Sequence, residues 1–187
     1  MSESSFDKMH ELLIAKQVAV KQRWLDLILE SYPENARGFF KNQRDRFQNP
    51  VGSAAARMVE KLFDALVNRA VAQELAVILD EFIRIRAVQE FAPSVGLSFI
   101  LDLKRAVRET VMDDIRTEAL FSELLQLESR IDETLLTAFN LYVQSREKMY
   151  EIKANNLKRQ TFLALKMMGA DFYPRESSDD LANPELE

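Results

Sequence analysis

Residues 116–168 read RTEALFSELLQLESRIDETLLTAFNLYVQSREKMYEIKANNLKRQTFLALKMM. Within this stretch Leu120, Leu124, Leu127, Ile131, Leu135, Phe139, Tyr142, Met149 and Ile152 recur at the three- and four-residue spacing of one helix face. No proline or glycine interrupts the chain between Gly96 and Gly169. A helix of about 35–50 residues is about 50–75 Å long at 1.5 Å per residue. A compact domain of this size is only about 30 Å across. The spacing therefore predicts a long C-terminal helix, about residues 116–168. Its far half is expected to leave the body or to pack on another molecule.

Upstream, the sequence predicts five shorter segments. Residues 5–31, read as one long helix or two short ones in line, carry Leu12, Leu13, Val20, Trp24, Leu27 and Ile28 on one stripe, and Ser31-Tyr32-Pro33 ends them because the residue before proline leaves the α region. A short helix is expected from about Glu34 to Arg46. Asn49-Pro50-Val51-Gly52 is the clearest turn signal, and Ser53 is read as the cap of a helix reaching about Ala70. Residues 72–91 place Leu75, Ile78, Leu79, Phe82 and Ile85 inward. Ala92-Pro93 breaks that helix, and Ser94 is expected to cap the next, which buries Phe99, Ile100, Leu103, Val107 and Val111. Asp113-Asp114 marks a short connection. From Ala170 the pattern stops, and prolines, serines and clustered acids predict a disordered acidic tail over 170–187. The domain is thus residues 1–169.

Composition narrows the function. Apolar residues are 47% of 187, with four glycines and five prolines, which reads as an all-α chain with a sizeable core. The chain has no cysteine and one histidine, His10, near its start. Thiolate chemistry, zinc–thiolate sites and disulfides are excluded, and Ser/His or Cys/His catalysis loses its partner. No metal site, cofactor or heme is expected, since a globin-type heme needs an axial histidine deep in the body. No phosphate-binding glycine loop occurs. The reading is not an enzyme. The tail holds six acids and one base, so the net −5 resides there and residues 1–170 are formally neutral. That balance gives no reason to expect nucleic acid as a partner. No signal peptide or membrane span is legible, so no membrane insertion is expected and the cytoplasm is the default compartment.

Arg84 and Arg86 stand in an otherwise apolar helix just before a proline break. Two positions apart, their side chains diverge by about 200° around the helix, so they have different tasks. One is expected to bind carbonyls at the Pro93 corner and the other to reach Asp80 or Glu90. Trp24 and the phenylalanines Phe39, Phe40, Phe47, Phe63, Phe82, Phe91 and Phe99 read as core before they read as a ligand pocket.

Three segments, in order, resemble the N-terminal sensor domain of RsbT co-antagonist proteins, the RsbR-type stressosome components and their RsbRD-like branch. They are Arg23-Trp24-Leu25 through Ser31-Tyr32-Pro33, then Asp45-Arg46-Phe47-Gln48-Asn49-Pro50-Val51-Gly52. The third is Arg84-Ile85-Arg86-Ala87-Val88-Gln89-Glu90-Phe91-Ala92-Pro93-Ser94, continuing to Phe99 and Leu103-Lys104-Arg105-Ala106-Val107. The resemblance implies a globin-like, heme-free helical bundle that dimerises and hands its signal along a C-terminal helix to an output domain, often a STAS domain. It makes Trp24, Phe47, Pro50, Arg84, Arg86, Gln89, Pro93 and Ser94 the motif residues, structural or ligand-contacting. The 18 residues after the long helix are too few for a STAS fold, so a stand-alone sensor or adaptor is expected, acting on protein partners and as a homodimer. Met149, Ile152, Leu157, Phe162, Leu165 and Met168 are its expected interface, because exposed apolar stripes mark contacts. The alternative is a helical protein that binds a small apolar ligand and has no signalling partner.

Overall fold

The computed structural model describes residues 5–34, 37–38, 49–89 and 91–167, and all regular structure among them is helical. The helices are α1 (Ser5–Glu30), α2 (Pro50–Val67), α3 (Ala72–Val88), α4 (Pro93–Val111) and α5 (Glu118–Met167), with a 3₁₀ turn at Met112–Asp114 before α5. The chain divides into two units, Met1–Glu147 and Lys148–Glu187. The expected short helix over 34–46 lies mostly outside the described residues, as do Phe47, Met168 and the 170–187 tail; Glu34, Arg37 and Gly38 are helical.

Local chemistry sets the helix ends, and it corrects two expected caps. Helix α2 begins at Pro50, not at Ser53. Proline suits the first helical position, where its missing N–H is not needed. Asn49 is the cap, its Oδ1 accepting from the Gly52 N–H at 2.8 Å. A Cβ on Gly52 would lie 2.4 Å from the Asn49 amide, so this cap requires glycine there. The supposed turn is a helix start. Likewise α4 begins at Pro93 after Ala92, and Ser94 makes no cap bond. Helix α2 stops at Val67, short of Ala70. Ala70 N–H returns to Ala65 O at 2.8 Å and Arg69 N–H to Leu66 O at 3.2 Å. This pair of bonds is a Schellman motif, and it places Arg69, not a glycine, at φ 55°.

In the first unit, α1 packs on α4 and α2, and α3 packs on α2 and α4. Trp24, Ile28, Leu62, Phe63, Leu79, Phe82, Ile83, Phe99 and Ile100 are the fully buried centre. Helix α5 adds Leu124, Leu127, Glu128, Ile131, Thr134, Ala138 and Tyr142 to it. The expected stripe drifts here. Phe139 is 47% exposed, and the small neighbours Thr134 and Ala138 take the inward positions. Ile85 is only partly buried, while Ile83 and Arg86 are in the core. In the second unit, residues 148–167 are helical and none of them is buried. No described helix is long and apolar enough to cross a membrane.

Candidate functional site

The two arginines of α3 separate as their spacing requires. Arg84 is exposed and pairs with Asp80 one turn back, at 3.0 Å. Arg86 is completely buried. It does not bind carbonyls at the corner. Its guanidinium carbon lies 4.9 Å from the Tyr32 ring centroid, 4.7 Å from Phe91, 5.6 Å from Phe82 and 6.0 Å from Phe99. Its Nη2 donates to Ser31 Oγ at 3.0 Å, while Nε and Nη1 are buried with no acceptor. A cation held by aromatic faces is attractive, but two unsatisfied guanidinium nitrogens are a cost that buried polar atoms rarely carry.

The walls of this cage come from three helix ends. Ser31 and Tyr32 follow α1. Phe91 sits in the α3–α4 corner, and Phe82 and Phe99 come from the two helices flanking it. Tyr32 donates its hydroxyl to Gln89 Oε1 at 3.0 Å and meets Phe91 edge-on at 5.6 Å. Burial raises the Tyr32 phenol above its ordinary range, against the opposing pull of Arg86. Trp24 Nε1 donates to Phe99 O at 2.6 Å, which ties α1 to α4. Asp102 on α4 is also raised by burial, against the pull of Arg105 and Arg86.

Helix α5 grips the same corner from the other side. Tyr142 donates its hydroxyl to Phe91 O at 2.5 Å, and Arg146 Nη1 donates to Ala87 O at 3.1 Å. The Tyr142 ring fits because position 96 is glycine: a Cβ there would stand 2.9 Å from Tyr142 Cε2. The carbonyls expected to occupy an α3 arginine are therefore held by α5.

Around this centre the charged surface is paired. Glu109 bridges Arg23 at 2.6 Å and Arg105 at 2.7 Å, and those two guanidinium groups hold its carboxyl at about 2. Arg108 makes a two-pronged bond to the buried Glu128 at 2.5 and 2.6 Å. Lys104 pairs with Asp132 at 2.6 Å. Lys104 and Arg108 of the basic cluster on α4 thus pair with α5, and Arg105 pairs with Glu109 of its own helix.

Of the motif residues, the structure brings Trp24, Arg86 and Gln89 into or beside the cage. Pro93 starts α4 at its edge. Arg84 and Ser94 face outward, Pro50 starts α2, and Phe47 lies outside the described residues. Sequence reading missed Gly96, Tyr142 and Arg146 as partners. Tyr142 carried a weak signal, a polar tip within an apolar stripe; Arg146 carried none. Of the expected interface residues, Ile152, Leu157 and Phe162 are exposed, with Tyr150, Leu163 and Met167, whereas Met149 and Leu165 are half-buried. Among the described residues no three His, Asp or Glu side chains gather as a metal site would require.

A family model described as the RsbT co-antagonist protein rsbRD N-terminal domain matches residues 18–157, more than half of the chain. No curated protein and no solved structure gives a significant match.

Proposed function

The chain belongs to the RsbT co-antagonist rsbRD N-terminal domain family, and from that premise we propose that it is a sensory or regulatory domain of stressosome-type signalling that acts through protein contacts. The family supports a signalling role, and a globin-like arrangement of the bundle is part of the same proposal. The observation that carries the contact reading is the last part of α5. Tyr150, Ile152, Leu157, Phe162, Leu163 and Met167 are all exposed there, on a helix with Lys148, Lys153, Lys158, Arg159 and Lys166 against one acid, Glu151. Apolar side chains gathered in this way favour a partner surface, and a homodimer is the first partner to test.

The signal enters as a change of packing at the arginine cage. Tyr142 and Arg146 hold the corner carbonyls, so a shift of the α3–α4 corner moves groups on the helix that also carries the exposed residues. A protein that had lost this link would bind its partner without responding.

Light scattering on the full chain, and on a chain ending at Tyr150, tests the reading. A dimer or a co-purifying partner that disappears on truncation is the expected outcome. A strictly monomeric full chain, with every partner retained by the shortened one, overturns it.

A further inference from the structure

A concavity of about 330 Å³ opens beside α1, α2 and α5, within the first unit. Its floor is apolar: Met9, Leu13, Leu66 and Leu127, each buried. Arg69 and Arg130 stand on its wall. A second hollow of about 250 Å³ shares Arg69, Arg130 and Glu133, so the two arginines separate two open spaces.

The arginines differ in how they are satisfied. Arg69 pairs with Glu123 at 3.1 Å, and Glu123 is nearly enclosed. Arg130 has one bond, Nη2 to Ala70 O at 3.2 Å, and its Nε is buried with no acceptor. Among the described residues it forms no ion pair. Burial disfavours its charge and Arg69 beside it disfavours it further, against the opposing pull of Glu133. Glu133 also lines the wall; it is exposed and attracts Arg130 through space without a hydrogen bond to it. A guanidinium with no bonded anion, set above an apolar floor in a space of small-ligand size, defines its complement.

We propose that this concavity binds a small carboxylate with an apolar body, the carboxylate accepting from Arg130 and the body lying over Met9, Leu13, Leu66 and Leu127. Phosphate or sulfate alone would leave the floor uncovered, and a neutral apolar molecule would leave Arg130 as it is. The site stands apart from the regulatory reading: binding by a chain that has no partner would leave it intact.

Calorimetric titration of the full chain with octanoate, 1-octanol and acetate tests it. Octanoate is expected to bind saturably, with octanol and acetate weaker by about tenfold or more, the worth of one charge-assisted bond or of the apolar floor. Arg130→Gln is expected to lose a similar factor for octanoate, and Arg84→Gln, an exposed control, to lose none. Octanol binding as tightly as octanoate, Arg130→Gln binding unchanged, or no saturable heat with octanoate overturns the proposal. Should Arg130→Gln fail to fold, methyl shifts of the unmutated chain decide. Octanoate must move Met9, Leu13, Leu66 and Leu127 before Leu103 and Val107; the reverse order places the ligand elsewhere and also overturns the proposal.

Discussion

Arg86 shows how a charge can sit in a core without holding it together. Each unpartnered buried N–H costs about 1–3 kcal/mol, and desolvating the guanidinium costs several more. The nearest rings, Tyr32 and Phe91, return about 2 kcal/mol each in a dry site. The balance is near zero or unfavourable. Arg86→Met, which keeps most of the volume, is therefore expected to have a urea midpoint equal to or above that of the parent. Arg86→Ala leaves a void and is expected to lose about 2–5 kcal/mol. Equal losses for Met and Ala would mean that the guanidinium itself secures the corner. Glu109 behaves in the opposite way. Arg23 and Arg105 depress its folded pKa from 4.5 to about 2. The stability it adds is complete above the unfolded value and is lost as pH falls from there through about 2. The Tm gap between the parent and Glu109→Gln is thus expected to narrow between pH 6 and pH 2.5. A gap that stays constant would show that Glu109 acts by shape and not by charge.

At the scale of elements, helix ends and crossings decide what side chains can do. Asn49 caps α2 through the Gly52 N–H, and Asn49→Ala is expected to lose about 1 kcal/mol by urea denaturation, with Asn49→Asp retaining most of it. Gly96→Ala drives a methyl into the Tyr142 ring, and about 1–3 kcal/mol is expected to go. A second change, Tyr142→Leu, clears the ring away, so the double variant is expected to lose less than the sum of the two singles. Strict additivity would mean that the close approach is not what position 96 serves. The helices of the first unit were legible because the apolar stripes around Trp24, Phe63, Leu79 and Phe99 each repeat with helical period and proline punctuates the chain between some of them. The inner face of α5 was only half legible. Reading by size chose Phe139, but where helices pack closely the small Thr134 and Ala138 fit and a phenylalanine does not. The caps were misread because serine attracts attention as a cap, whereas Pro50 and Pro93 had already fixed the first turns.

At the scale of the whole molecule, every described buried side chain lies at Tyr142 or earlier. A chain of residues 1–147 is expected to unfold cooperatively within about 3 °C of the full protein, since a buried core and not exposed helix sets Tm. A much lower Tm would show that residues beyond 147 stabilise the bundle. The arginine cage was partly legible at this scale, since Ser31-Tyr32-Pro33 and the Arg84–Ser94 stretch carried the resemblance that later proved to meet in space. That Arg86 is buried was not legible, because a charged residue is assigned to water until a structure shows four rings around it. The Trp24–Phe99 bond has a consequence of a different kind. Its two ends are 75 residues apart. At about 5–20 residues per second, a ribosome needs roughly 4–15 s to deliver the second after the first. For that interval the indole and its neighbours Leu27 and Ile28 emerge as a bare greasy flank, a natural substrate for chaperones that guard nascent chains.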